Sequence, residues 1–220
     1  MRKWFLVALI VLASASLVYR LLDTPVEKLR QNATLQRVQG FMARHGSEKP
    51  VAFVGDSLVE SASFSPAICG RPVFNAGYAG AIASGVLQLV KEFDRIKFSP
   101  GIVVISVGVN DALVVDRRPF AESYQEIVQR AGALGAKVFV VSLAPIAGSG
   151  VLANAIDRSR FADIDRVIRQ TARDRSIPLI DVGTLQTQAS PQVEDGIHLS
   201  ADGYAAWTGT IESTIGGQCP

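Results

Sequence analysis

Val51-Ala52-Phe53-Val54-Gly55-Asp56-Ser57-Leu58 is the stretch whose reading decides the fold. Four apolar residues run without alternation into a glycine and two polar residues, after which the pattern changes. A short unbroken apolar run ended by glycine reads as a strand buried on both faces. Working outward, similar runs recur at Val73–Phe74, Ile102–Val107, Lys137–Leu143 and Pro178–Val182. Helical patterns fill the gaps, at Ala81–Lys97, Pro119–Leu134 and Asn154–Arg175, with a last one from Ala201 to about Thr214. In Asn154–Arg175, Phe161, Ile164, Ile168 and Thr171 share one face, and Arg158, Arg166, Arg169 and Arg173 lie largely on others, as a solvated face would. Strands alternating with helices need crossover connections, which predicts a parallel sheet covered on both faces. Ligands bind such sheets beyond the carboxyl ends of the strands, so catalytic residues should stand directly after strands.

Composition supports one globular unit. Of 220 residues, 48% are hydrophobic and 19% charged, enough apolar material for a core. A net charge of +2, without any basic run interleaved with aromatics, excludes a nucleic-acid groove. Cys69 and Cys219 match neither a zinc pattern nor a redox pair.

The chain starts Met1-Arg2-Lys3, followed by an apolar run from Trp4 to Tyr19 and then Arg20-Leu21-Leu22. Basic residues before an apolar run are an export signal. A helix of that run spans about 24 Å, slightly short of a bilayer core. Extension through Leu22, with Arg20 snorkelling, brings it close. Residues 1–22 are therefore read as a membrane anchor with Arg2 and Lys3 on the cytoplasmic side. Cleavage after Ala13-Ser14-Ala15, leaving a secreted protein, is the alternative. Thr24-Pro25-Val26-Glu27 opens a helix with a capping-box pair. It should run to about Arg44 and make residues 23–50 a helical stalk, with the domain proper at 51–220.

Four short motifs carry the chemistry. Ser57 stands at the end of the first strand, near a helix start whose N–H groups suit an oxyanion. Asp195-Gly196-Ile197-His198 lies in the loop before the last helix. A serine hydroxyl needs a base, and a carboxylate must orient that base. A spacing of three lets Asp195 and His198 meet within one turn. His45 lies ahead of the domain, which leaves His198 as the candidate base. Asn110 in Gly108-Val109-Asn110-Asp111 could donate to an oxyanion, as could a backbone N–H in Asn75–Gly80. Each motif alone also fits a cap or a turn. Together, in order and on one expected rim, they form a full acyl-transfer inventory.

The set resembles the SGNH hydrolases, also called GDSL esterases and lipases, over roughly residues 51–215. Gly55-Asp56-Ser57-Leu58 is similar to the nucleophile block, Gly80 to the oxyanion-hole glycine, Asn110 to the asparagine donor, and Asp195 with His198 to the closing block. The resemblance implies a flavodoxin-like three-layer α/β/α sandwich on a five-stranded parallel sheet, without cofactor or metal. It implies a Ser57–His198–Asp195 triad and an oxyanion hole from Ser57, Gly80 and Asn110. An α/β-hydrolase would need Gly-x-Ser-x-Gly, which is absent. Gly148-Ser149-Gly150-Val151-Leu152-Ala153 imitates a dinucleotide fingerprint but follows the fourth strand rather than the first, so a flexible rim loop is the reading.

The expected substrate is a small-molecule or carbohydrate ester with a short acyl chain, such as an O-acetyl group, because Ser61–Pro66 is small and polar with one Phe. An acyltransferase, or a silent binder of envelope glycans, stays open. The expected location is exported and tethered, facing the periplasm or cell exterior. In a flavodoxin-like winding the first and last helices share a face, so Cys69, before the second strand, and Cys219, after the last helix, could meet at the edge opposite the site. Two unpaired thiols are the alternative.

Overall fold

A computed structural model describes residues 26–116, 118–185 and 191–219. Its centre is a sheet of β1 (Val51–Gly55), β2 (Ala67–Ile68), β3 (Arg71–Asn75), β4 (Ile102–Ser106), β5 (Lys137–Val141) and β6 (Leu179–Ile180), in the order β2-β3-β1-β4-β5-β6. All neighbours are parallel except β2 and β3. β1 pairs residue for residue with β4, from Val51 opposite Ile102 to Gly55 opposite Ser106. Successive side chains of a strand point to opposite faces. Accordingly Ala52 and Val54 join one apolar core, and Val51 and Phe53 another.

The first core is covered by a helix over residues 26–45 (α1) and by α3 (Ala83–Arg95), α4 (Phe120–Ala133) and α5 (Arg158–Asp174). The second is covered by α6 (Ala201–Gly216), through Trp207, Ile211 and Ile215, and by the short α2 (Ser57–Glu60). The expected three layers and winding are present. The arginines of α5 engage nearby groups: Arg169 pairs with Asp165 and Asp181, and Arg166 with Asp163. Asp157, not Asn154, caps α5 by accepting from Arg160 N–H, and 153–155 form a separate turn.

The expectation of five wholly parallel strands needs correction, because the sheet is mixed. Ala67 and Ile68 pair antiparallel with Pro72 and Arg71 through a two-residue turn at Cys69-Gly70, both at positive φ. Such a turn matches the twist of a tight hairpin. A two-residue strand between Pro66 and Gly70 is too short for any periodicity to register.

Residues 26–50 also depart from expectation. The predicted helix is present, yet it is docked rather than a free stalk. Thr34, Val38 and Phe41, spaced along one face, are buried. The Phe41 ring meets those of Phe74 and Phe98. Arg30 donates to Ala79 O, and Arg37 to Asn75 O and Gly77 O. The expected anchor at 1–22 and the Thr24-Pro25 cap lie outside the described residues. Among the described residues, no helix is long and apolar enough to cross a membrane.

Cys69 and Cys219 form a disulfide, with Cα atoms 5.4 Å apart. It fastens the end of α6 to the β2–β3 turn at the amino edge of the sheet. Closing a loop of 150 residues should stabilise the fold by about 5 kcal/mol on the chain-entropy model. We expect Cys219→Ser to lower the denaturant midpoint clearly and to leave ester hydrolysis at 25 °C near its original rate. Unfolding curves with and without reductant check this, and the variant should lose the response to reductant.

Candidate active site

The Ser57 hydroxyl, the His198 ring and the Asp195 carboxylate form one hydrogen-bonded line. β1 delivers Ser57 as the first residue of α2, and Asp56 caps that turn by accepting from Leu58 N–H at 3.0 Å. His198 Nε2 lies 2.9 Å from Ser57 Oγ, and His198 Nδ1 lies 2.7 Å from Asp195 Oδ2. Asp195 Oδ1 accepts from Ile197 N–H at 2.8 Å and His198 N–H at 2.9 Å. The carboxylate is thus held by its own loop before it meets the ring. An acceptor at Nδ1 assigns the proton of the neutral ring to that nitrogen and leaves the Nε2 lone pair facing the hydroxyl. Burial pushes the Asp195 carboxyl up. The hydrogen bonds from Ile197 and from the ring and N–H of His198 outweigh it and hold the group below the usual range.

The other two candidates meet each other. Asn110 Nδ2 donates to Ala81 O at 2.9 Å, which ties it to the residue after Gly80. The loop carrying Gly80 is pinned to β1, where Ala76 N–H donates to Phe53 O at 2.8 Å and Tyr78 N–H to Gly55 O at 3.2 Å. Gly80 itself has φ +76°, which favours glycine. Both donors therefore stand at the carboxyl end of β1 and β4, where Ser57 begins. The Asn110 amide has a second N–H, and the one used by Ala81 fixes its orientation.

The pattern of the GDSL-like Lipase/Acylhydrolase family matches residues 38–206. The chain belongs to this family. It is an ester hydrolase of the GDSL type. No curated protein matches the chain significantly in sequence. Solved structures share its fold. A lipase/acylhydrolase from Enterococcus faecalis is 22% identical, with 78% of this chain and 97% of that chain covered and a TM-score of 0.63. A GDSL-like lipase from Bacteroides thetaiotaomicron is 21% identical, with coverage of 83% and 97% and a TM-score of 0.65. An acetylxylan esterase from Geobacillus stearothermophilus is 18% identical, with coverage of 77% and 94% and a TM-score of 0.61.

Two buried acids, to which motif spacing assigns no role, brace this GDSL-type site. Asp111 follows Asn110, is buried, and accepts Ala83 N–H, at the start of α3, with both oxygens at 3.1 Å. Asp56 is buried beside Ser57. Burial pushes both carboxyls up to about 7, against opposing hydrogen bonds from Leu58 N–H and Ala83 N–H respectively. The apolar run after Asn110-Asp111, Ala112 to Val115, was the available signal that Asp111 lies inside. An ordinary Asp titrates near 3.9 when unfolded. A folded pKa above that value contributes stability that is complete below about pH 4 and lost as pH rises through about 7. Asp56→Asn keeps the acceptor for Leu58 N–H and removes the titration. We expect it to flatten the loss of stability between pH 5 and 8, by up to about 3 kcal/mol. Urea unfolding at the two pH values measures this, and an unchanged slope would contradict the assignment.

The glycine loop after β5 is docked rather than a flexible flap. Ala147 N–H donates to Gly196 O at 2.8 Å, and Leu152 and Ala153 N–H donate to Asp195 O at 3.1 and 3.0 Å. Gly150 has φ +140°, and a Cβ there would overlap the Asp195 carbonyl. The Gly-Ser-Gly sequence is thus a seat for Asp195, and the dinucleotide reading has no place. We expect Gly150→Ala to lower kcat for ester hydrolysis at least tenfold by displacing Asp195 while KM changes little, as steady-state kinetics would reveal.

Proposed function

We propose that Ser57 is the nucleophile, His198 the general base and Asp195 its orienting carboxylate in the hydrolysis of short-chain acyl esters. The observation that carries this reading is the line from Ser57 Oγ through His198 to Asp195, with gaps of 2.9 and 2.7 Å. His198 Nε2 takes the Ser57 proton as Oγ attacks the ester carbonyl. The tetrahedral oxyanion is met by the N–H groups of Ser57 and Gly80 and by Asn110 Nδ2. The imidazolium then protonates the leaving alkoxide, which departs as the alcohol. Water, deprotonated by His198, attacks the acyl-enzyme; the acid leaves and Ser57 regains its proton.

Family relatives support the acid–base pair. In the Geobacillus stearothermophilus acetylxylan esterase, an aspartate and a histidine three positions later are each replaced by alanine in structures described as catalytic mutants. Asp195 and His198 have the same spacing. Acetyl esters of carbohydrate are the substrate class we infer, because acetylxylan esterases share the fold and the residues just after α2, Ser61 to Ser63, and beside Gly80, Ala79, are small. We further infer export, with the protein tethered through Trp4–Tyr19.

Ser57→Ala and His198→Ala should each reduce hydrolysis of p-nitrophenyl acetate by at least ~10³-fold, since triad members act as a unit. Asn110→Ala should cost ~10²–10³-fold. Full activity in Ser57→Ala would overturn the mechanism. Rates on p-nitrophenyl esters should fall as the acyl chain lengthens; a preference for long chains would overturn the substrate class.

A further inference from the structure

Six large apolar side chains among the described residues stand exposed: Val26, Leu29, Val114, Val115, Val151 and Val193. Single exposed apolar residues are ordinary. The distribution of these six is not. Val114 and Val115 stand in the β4–α4 loop, Val151 in the β5–α5 loop and Val193 in the β6–α6 loop. All three loops leave the carboxyl ends of strands, the edge that holds Ser57. Val26 and Leu29 lie in the first turns of α1, and the adjacent Arg30 donates to Ala79 O in the β3–α3 loop at that same edge. The opposite edge, with residues 46–50 and the Cys69–Cys219 bridge, carries none of the six. The most exposed are Val115 at 72% and Val151 at 82%.

The sequence delivers its longest apolar run to the same edge. Trp4–Tyr19 carries no charge, and Val26 is the first described residue of α1. Residues 20–25, even fully extended, reach only about 21 Å. The length of α1, residues 26–45, sets the far edge about 30 Å away. An anchor formed by Trp4–Tyr19 therefore holds the Ser57 edge nearest to the bilayer.

We propose that this rim is a lipid-facing surface: Leu29, Val115 and Val151 enter the interfacial layer of the membrane that holds Trp4–Tyr19, and the mouth of the site opens toward it. The proposal rests on the anchor reading above. A bilayer fits better than a protein partner because the apolar residues are separate tips on the start of α1 and on different loops and because the tether keeps that surface always within reach. Charges of both signs flank the tips, Lys28 and Arg118 with Asp116 and Glu122, so apolar insertion rather than attraction to anionic lipid drives the contact. A few such side chains do not hold a protein on a membrane alone. Tethering raises their effective concentration, so weak contacts are enough to set orientation.

The test uses the full-length chain in vesicles of mixed phosphatidylethanolamine and phosphatidylglycerol. Val115→Cys, Val151→Cys and, at the far edge, Ser47→Cys are each labelled with a polarity-sensitive dye without reductant, so that the native disulfide stays closed. Melting temperatures matching the unlabelled protein report an intact fold. We expect dyes at 115 and 151 to be quenched several-fold more slowly by aqueous iodide than the dye at 47, with blue-shifted emission. Equal quenching at all three sites in vesicle-bound protein overturns the lipid-facing rim and leaves the anchor standing. Protein that stays in the supernatant overturns the anchor and the rim together. Protection that grows with protein density per vesicle assigns the rim to a second copy of the chain and also overturns the proposal.

Discussion

The contact between Ser57 Oγ and His198 Nε2 joins residues 141 apart in sequence, and the structure around the site serves to close that gap. Neither residue can reach the other through local structure. Ser57 is placed by the end of β1, and His198 by a loop that leaves β6 on the far side of β4 and β5. The winding brings the carboxyl ends of the parallel strands β1, β3, β4, β5 and β6 to one edge, which converts a long sequence separation into a hydrogen-bond distance. An error of one ångström at either strand end would take the His198 ring out of hydrogen-bond reach of the Ser57 hydroxyl.

That requirement explains why the loops at this edge are stitched to one another. The Asp195 loop receives three backbone N–H groups from the β5–α5 loop. The Gly80 loop is held by β1 on one side and by Arg30 and Arg37 of α1 on the other. Loops built this way surrender mobility for position, as preorganised donors must. Asp56 and Asp111 show the accompanying cost. Each fastens a backbone N–H at the site, Leu58 or Ala83, from a buried position where its charged form is disfavoured. Stability is given up at neutral pH to fix the geometry.

Much of this was legible in the sequence. The unbroken run Val51–Val54 announced a doubly covered strand, and the spacing of Asp195 and His198 announced a pair within one turn. Periodicity and local spacing register such features because they arise within a few residues. What escaped depends on contacts across the fold. β2 is two residues long, and only its pairing with β3 makes it a strand. The face of α1 carrying Thr34, Val38 and Phe41 looked like a stalk because an amphipathic pattern does not say what it packs against. Gly150 looked like a flexible loop because its partner, the Asp195 carbonyl, is 45 positions away.

The two edges of the sheet face opposite physical demands. At the carboxyl edge, the close-packed Gly150 and the buried acids Asp56 and Asp111 work against stability, and each follows from building a site there. At the amino edge nothing reacts, and the chain is tied where tying costs no function. The Cys69–Cys219 bridge restrains the unfolded chain over 150 residues while leaving the mutual placement of Ser57, His198 and Asp195 alone. A covalent tie of that reach at the carboxyl edge would constrain the loops that must admit an ester and release an alcohol. Placing the staple at the edge without chemistry stabilises the whole sheet and leaves the strand ends to be positioned by the hydrogen bonds between their own loops.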